Sequence, residues 1–209
     1  MHGNAGNRLD NIEASQTFIE LGLQYCVFDF VGCGLSEGET ISLGFHESKD
    51  LEDLMNFLKG KYKISKFILY GRSMGAATSL FNAAITKHNV GGLVVDSSFA
   101  DFYSMSGDII NLPKIMIDSL FQVIGKEILD KYKFSLADLR PIDSAQKIKI
   151  PAIFVHGTYD SLIKFSHSVN LHAVYGGPKE LIPFDGDHNS PRPAKVKEKI
   201  YQFVKSLII

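Results

Sequence analysis

Phe67-Ile68-Leu69-Tyr70-Gly71-Arg72-Ser73-Met74-Gly75 carries a compact apolar run into a helical pattern that continues from Met74 to Thr86. A Gly-x-Ser-x-Gly pentapeptide between a strand and a helix has the setting of a nucleophile elbow, a sharp turn that exposes a serine hydroxyl. Such a turn crowds the backbone on either side, so the positions two before and two after the serine need glycine or something nearly as small. Gly71 and Gly75 meet that need. The Ser73 hydroxyl would then lie at a helix N-terminus, beside unpaired N–H groups able to stabilise a developing oxyanion. The pentapeptide alone is weak, because Gly and Ser at about 7% each give about 0.07 chance hits in a chain of this size. Its weight comes from the strand before it and the helix after it.

Outward from this turn the same rhythm repeats. Upstream lie an amphipathic helix (Leu9 to Leu21), an apolar run (Tyr25 to Phe30) and a helix (Lys49 to Leu58); downstream lies a run from Gly92 to Val95. Alternating β and α elements predict a parallel sheet. Consecutive apolar residues, as in Cys26-Val27-Phe28 and Leu93-Val94-Val95, suit strands covered on both faces. The fold class expected is therefore α/β, with a doubly wound, mostly parallel sheet in a single domain spanning residues 1–209. Later elements are a strand at Ala152 to Val155, a helix at Lys164 to Tyr175, a strand at Glu180 to Phe184 and a closing helix at Ala194 to Ile208. Ser190 before Pro191 resembles the start signal of that last helix. Residues 100–149 break the rhythm. Ile109, Leu112, Met116, Leu120, Ile124 and Ile128 recur there at helical spacing, which marks a helical insertion packed on the sheet or, alternatively, serving as a lid over an acyl pocket.

Two other strand ends carry groups that could serve Ser73. Asp160, in Val155-His156-Gly157-Thr158-Tyr159-Asp160, is the candidate orienting carboxylate, and His188, in Phe184-Asp185-Gly186-Asp187-His188-Asn189, is the candidate base. Asp96, after another strand, is an alternative acid, because a triad is recognised by geometry rather than position. His156 lies before the acid at a strand end and reads as structural. His46, His88, His167 and His172 have no partner motif and read as surface residues. The loop His2-Gly3-Asn4-Ala5-Gly6-Asn7 can offer an N–H to an oxyanion, with Asn4 the first choice of donor and Met74, after the serine, the other.

Together with Gly32-Cys33-Gly34-Leu35-Ser36-Glu37-Gly38 and Gly186-Asp187-His188-Asn189-Ser190-Pro191-Arg192-Pro193, these motifs resemble the α/β-hydrolase superfamily over nearly the whole chain. The branch resembled is labelled serine-aminopeptidase-like and includes acyl-protein thioesterases and lysophospholipase-like enzymes, with a plant and protist group most similar. The chain order Ser, Asp, His is the one that fold uses. The resemblance implies Ser73 as nucleophile, Asp160 as acid, His188 as base and the N–H groups of Met74 and Asn4 as oxyanion hole. The expected activity is hydrolysis of a carboxylic ester or thioester, with lipid and fatty-acyl esters among the candidate substrates, through an acyl-enzyme. A catalytically silent hydrolase fold acting as a binding or scaffold protein is the alternative, and a peptidase reading lacks an acidic cluster placed to hold a substrate amine. Such hydrolases have three strands before the His-Gly loop, the third lying centrally between Tyr25 to Phe30 and Phe67 to Tyr70. Its absence would leave a gap of nearly 10 Å or force new pairing, so the expectation is an N-terminally truncated hydrolase lacking its first three strands.

Composition narrows the partners. The 209 residues are 45% hydrophobic and carry 22 Lys+Arg against 23 Asp+Glu, a net charge of −1. With no basic block there is little counterion-release energy for nucleic acid and none for an anionic membrane. No run approaches a membrane span, and Met1-His2-Gly3-Asn4 lacks the features of a signal peptide. Membrane contact is expected only through residues upstream of Met1 or the 100–149 insertion. Cys26 and Cys33, placed in a buried strand and a glycine loop, suggest packing and a reducing, cytoplasmic compartment rather than a disulfide framework. Gly32-Cys33-Gly34 has Glu37 where a dinucleotide loop needs its third glycine, and Asp185, Asp187 and His188 match no strong metal spacing, so no cofactor and no metal are expected.

Overall fold

The computed structural model describes residues 1–110 and 112–208. Four parallel strands, β1 (Phe67–Arg72), β2 (Val90–Asp96), β3 (Ala152–Gly157) and β4 (Lys179–Phe184), form one sheet in the order β1-β2-β3-β4. A 3₁₀ turn (Arg8–Asn11) and α1 (Glu13–Glu20) open the chain. They are followed by α2 (Glu47–Tyr62), α3 (Met74–Ala83), α4 (Phe102–Ile110), α5 (Lys114–Tyr132), α6 (Pro141–Ala145), α7 (Ser166–Val174) and α8 (Ala194–Ser206).

The consecutive apolar residues of β2 and β3 divide between two layers, as side chains alternate along a strand. Leu93, Val95 and Phe154 pack with Leu51 and Met55 of α2, Leu80 of α3 and Leu171 of α7. Val94, Ile153 and Val155 pack on the opposite face with Phe18 of α1 and Val196, Ile200 and Val204 of α8. The spacing of four along α8 puts those three residues on one stripe. Registers such as Arg72 opposite Asp96, Asp96 opposite Val155 and Gly157 opposite Phe184 bring the carboxyl ends of all four strands to one edge.

Several sequence expectations change. Tyr25 to Phe30 forms no strand. A strand exists through its ladder partner, and here the Tyr25 hydroxyl donates to the Asn11 carbonyl while the Phe30 N–H donates to His2 Nε2, so the segment is held by side chains. Cys26 is accordingly exposed, whereas Cys33 is buried. Among the described residues β1 has a strand on one side only, and no other segment forms the central strand. Its other edge meets Met1, whose terminal amine donates to the Tyr70 carbonyl at 2.6 Å and whose carbonyl accepts from the Arg72 N–H at 3.2 Å.

The 100–149 region is helical, as expected, but five of the six residues in the apolar stripe read from the sequence face outward. Ile109, Leu112, Met116, Leu120 and Ile124 are exposed. Of the stripe only Ile128 packs inward, joining Phe102, Met105 and Phe121 against Phe99, Phe134, Leu136 and Leu139. Ser190 does not start α8, whose N-cap is Pro193; its hydroxyl bonds Asp187. Among the described residues no helix is long and apolar enough to cross a membrane.

Candidate active site

The turn from β1 into α3 has the tightness its glycines imply. A Cβ on Gly71 would lie 2.1 Å from the Gly75 carbonyl oxygen, and one on Gly75 would lie 2.6 Å from the Met1 carbonyl oxygen. Because these obstacles are backbone atoms, no rotamer change relieves them. Gly71→Ala is expected to lower unfolding free energy by about 3 kcal/mol, the upper range for overpacking, measured as a fall in the urea midpoint; an unchanged midpoint would contradict this packing. Ser73 sits at φ 54°, ψ −118°, a strained conformation for a residue with a Cβ. Its N–H donates to the Asp96 carbonyl at 2.8 Å. That bond occupies the serine's own amide, while Met74, the first residue of α3, has no helical acceptor for its N–H.

The other sequence candidates gather at the same edge of the sheet. His188 Nδ1 lies 2.6 Å from Asp160 Oδ2. With Nδ1–H donated to the carboxylate, Nε2 is left as the basic nitrogen. The Asp160 side chain is fully buried and that of His188 is 10% exposed. Burial alone would raise the Asp160 carboxyl, but hydrogen bonds from His156 and His188 and from the Ile163 N–H outweigh it and hold the group well below the usual carboxylate range. Its two oxygens face donors only. Oδ1 accepts from the Leu162 and Ile163 N–H groups at 3.0 and 2.8 Å, and Oδ2 faces His188 and, at 3.2 Å, His156 Nε2. His156 is structural, as its position suggested. Its Nε2 also bonds the Ile163 carbonyl and its Nδ1 lies 2.6 Å from Ser168 Oγ, so it braces the acid from behind.

The His-Gly loop packs on the elbow, since a Cβ on Gly3 would be 3.3 Å from Ser73 Cβ. Asn4 follows in the turn closed by the Gly6 N–H to the Gly3 carbonyl. Asp96, the alternative acid, engages Arg192 rather than His188. Two surface expectations also fail: His167 is buried, accepting from the Ala100 N–H, and the His88 side chain is 6% exposed.

Two residues quoted in motifs but given no role belong to this arrangement. Arg72 Nη2 donates to the His188 carbonyl at 2.7 Å and to Asn189 Oδ1, tying the histidine loop to the residue before Ser73. Arg192 Nη1 donates to the same carbonyl at 3.3 Å. The sequence signal was their position, one inside the elbow pentapeptide and the other four residues after the candidate base; neither has a pattern that names its acceptor.

Residues 1–139 match the family described as alpha/beta hydrolase fold, and the chain belongs to it. Residues 104–200 also match the family described as serine hydrolase. The Bacillus subtilis protein YqkD is 28% identical over 197 residues, covering 90% of this chain and 63% of its own length, so the chain spans less than two thirds of this relative. The fold is shared with an esterase from Pyrococcus furiosus at a TM-score of 0.77 and 20% identity, covering 99% of this chain and 81% of that one. A monoacylglycerol lipase from Paleococcus ferrophilus aligns at a TM-score of 0.72 and 18% identity, covering 100% and 92%.

Proposed function

We propose that the chain is a serine hydrolase that cleaves a carboxylic ester or thioester, with Ser73 as nucleophile, His188 as general base and Asp160 as its orienting acid. The observation that carries this is the buried His188–Asp160 bond, held by Arg72 beside a strained serine elbow. His188 Nε2 takes the Ser73 proton as Oγ attacks the substrate carbonyl. The N–H groups of Met74 and Asn4 receive the charge that develops on the carbonyl oxygen. His188 then returns the proton to the leaving oxygen or sulfur, and water, deprotonated by the same imidazole, releases the acyl group from Ser73. The serine hydrolase match over residues 104–200 supports the same chemistry.

An apolar acyl group is the substrate part this reading assigns to the insertion. The insertion follows β2 in the chain, and α5 leaves Ile115, at 74% exposure, and Val123, at 71%, exposed together with Met116 and Leu120. Contact with such side chains stabilises a chain by about 0.8 kcal/mol per methylene, so kcat/KM on p-nitrophenyl esters is expected to rise about fourfold per CH₂ over the first few carbons. Met116→Ser with Leu120→Ser should flatten that slope, and a slope unaffected by the pair would place the acyl group elsewhere.

The primary test is fluorophosphonate labelling of the folded chain followed by peptide mapping. Modification of Ser73 is the expected result. Folded protein that stays unlabelled would favour the silent binding reading.

A further inference from the structure

We infer that Asp96 and Arg192 form a positioning clamp that sets the catalytic histidine against the nucleophile; this rests on the reading of Ser73, Asp160 and His188 given above. Asp96 reaches both reacting partners. Its main-chain carbonyl accepts the Ser73 N–H at 2.8 Å, and its carboxylate takes Arg192 in a bidentate pair, Nε to Oδ2 at 2.9 Å and Nη2 to Oδ1 at 2.6 Å. Arg192 passes the constraint on. Nη1 donates to the carbonyls of His188 at 3.3 Å and Ser190 at 2.6 Å, and Nη2 also donates to Ser97 Oγ at 3.1 Å. All five guanidinium N–H bonds are thereby used, and the group lies 5.0 Å from the centre of the Phe184 ring.

The two side chains are 8% and 1% exposed. A pair this buried is a poor source of stability, because desolvation offsets most of the attraction and an apolar pair of the same volume would serve as well. What an apolar pair could not do is fix a main-chain carbonyl by directed donors. The planar fork of arginine can hold a carboxylate on one side and that carbonyl on the other, which a lysine ammonium cannot reproduce. Arg72 holds the His188 carbonyl from the elbow side, so the histidine backbone is gripped from both the β1 and β2 strand ends. Asp160 orients the imidazole, and the clamp sets where its backbone stands.

The test compares the parent with the double variant Asp96→Asn/Arg192→Gln, which leaves no buried unpaired charge, and with Arg192→Lys, which keeps a cation but loses the fork. Neither change touches the Asp96 carbonyl that holds Ser73. For both variants kcat on a p-nitrophenyl ester is expected to fall on the order of 10²-fold with KM unchanged, the effect of misplacing a base by about 1 Å. The Nδ1–H proton resonance of His188 is read in parallel and should move or broaden in both. A folded variant that keeps the parental kcat, or one whose His188 resonance is unmoved, overturns the clamp. A parent that never reacts at Ser73 instead defeats the hydrolase reading, and the resonance alone then decides the clamp.

Discussion

Ser73→Ala is expected to lower kcat on an activated ester by on the order of 10⁵ to 10⁶-fold, the size of effect that follows loss of a serine nucleophile. Ester turnover by the folded variant near the parental rate would remove Ser73 from the chemistry. The unfolding free energy should change little, because alanine keeps the Cβ and therefore the strain at φ 54°. Ser73→Gly separates function from strain. Glycine adopts positive φ without penalty, and the relief of about 1 to 3 kcal/mol is partly offset by the greater freedom of the unfolded chain. We expect a net gain of about 1 kcal/mol in urea or thermal unfolding with the same loss of turnover. A destabilised glycine variant would mean that the elbow is not under tension.

Asp160→Asn is expected to cost on the order of 10⁴-fold in kcat, as a triad acid does when its amide selects the wrong tautomer. The sign follows from the donors around the group. Oδ1 receives two backbone N–H groups that cannot change, so the amide oxygen of asparagine must occupy that position. The amide nitrogen then faces His188 Nδ1, which has to become an acceptor, and the imidazole proton moves to Nε2. Nε2–H cannot accept the Ser73 proton. The same carboxylate contributes to stability in a pH-dependent way. Its folded-state pKa lies below the unfolded value of about 3.9, so the contribution is complete above about pH 5 and is lost as the pH falls through and below 4 toward the folded value. The difference in urea midpoint between parent and Asp160→Asn should be constant from neutral pH to about 5 and shrink below 4. A difference that grew on acidification would contradict the ionised, multiply bonded state of this group.

Where the chain's patterns are local they read correctly. The apolar runs at 67–70, 92–95, 152–155 and 180–184 all became parallel strands, and the intervening periodic segments became helices, because each carries its own periodicity and boundary residues. Asp160 and His188 were legible as strand-end residues in chain order, and the structure brings them to 2.6 Å. Tyr25 to Phe30 shows where this reading stops, since its composition is that of a strand while a strand also needs a neighbour at ladder distance. The stripe from Ile109 to Ile124 shows a second limit. Helical spacing groups side chains on one face, but whether that face meets protein or solvent depends on the fit of Phe102, Phe121 and Phe134 to one another.

By itself the sequence determined the α/β order and the glycine-flanked turn at Gly71 to Gly75, and it singled out Asp160 and His188 as the candidate acid and base, because strand and helix periodicity and the steric demand for small residues are written in neighbouring positions. Only the tertiary structure decided that Asp96 holds Arg192 instead of His188, that His156 braces Asp160, and that two guanidinium groups meet on one histidine carbonyl. His156 and Asp160 are only four residues apart, but the Asp96–Arg192 and Arg72–His188 contacts join residues 96 and 116 positions apart through directed hydrogen bonds. Such bonds depend on where distant strand ends come together, and no local spacing encodes that.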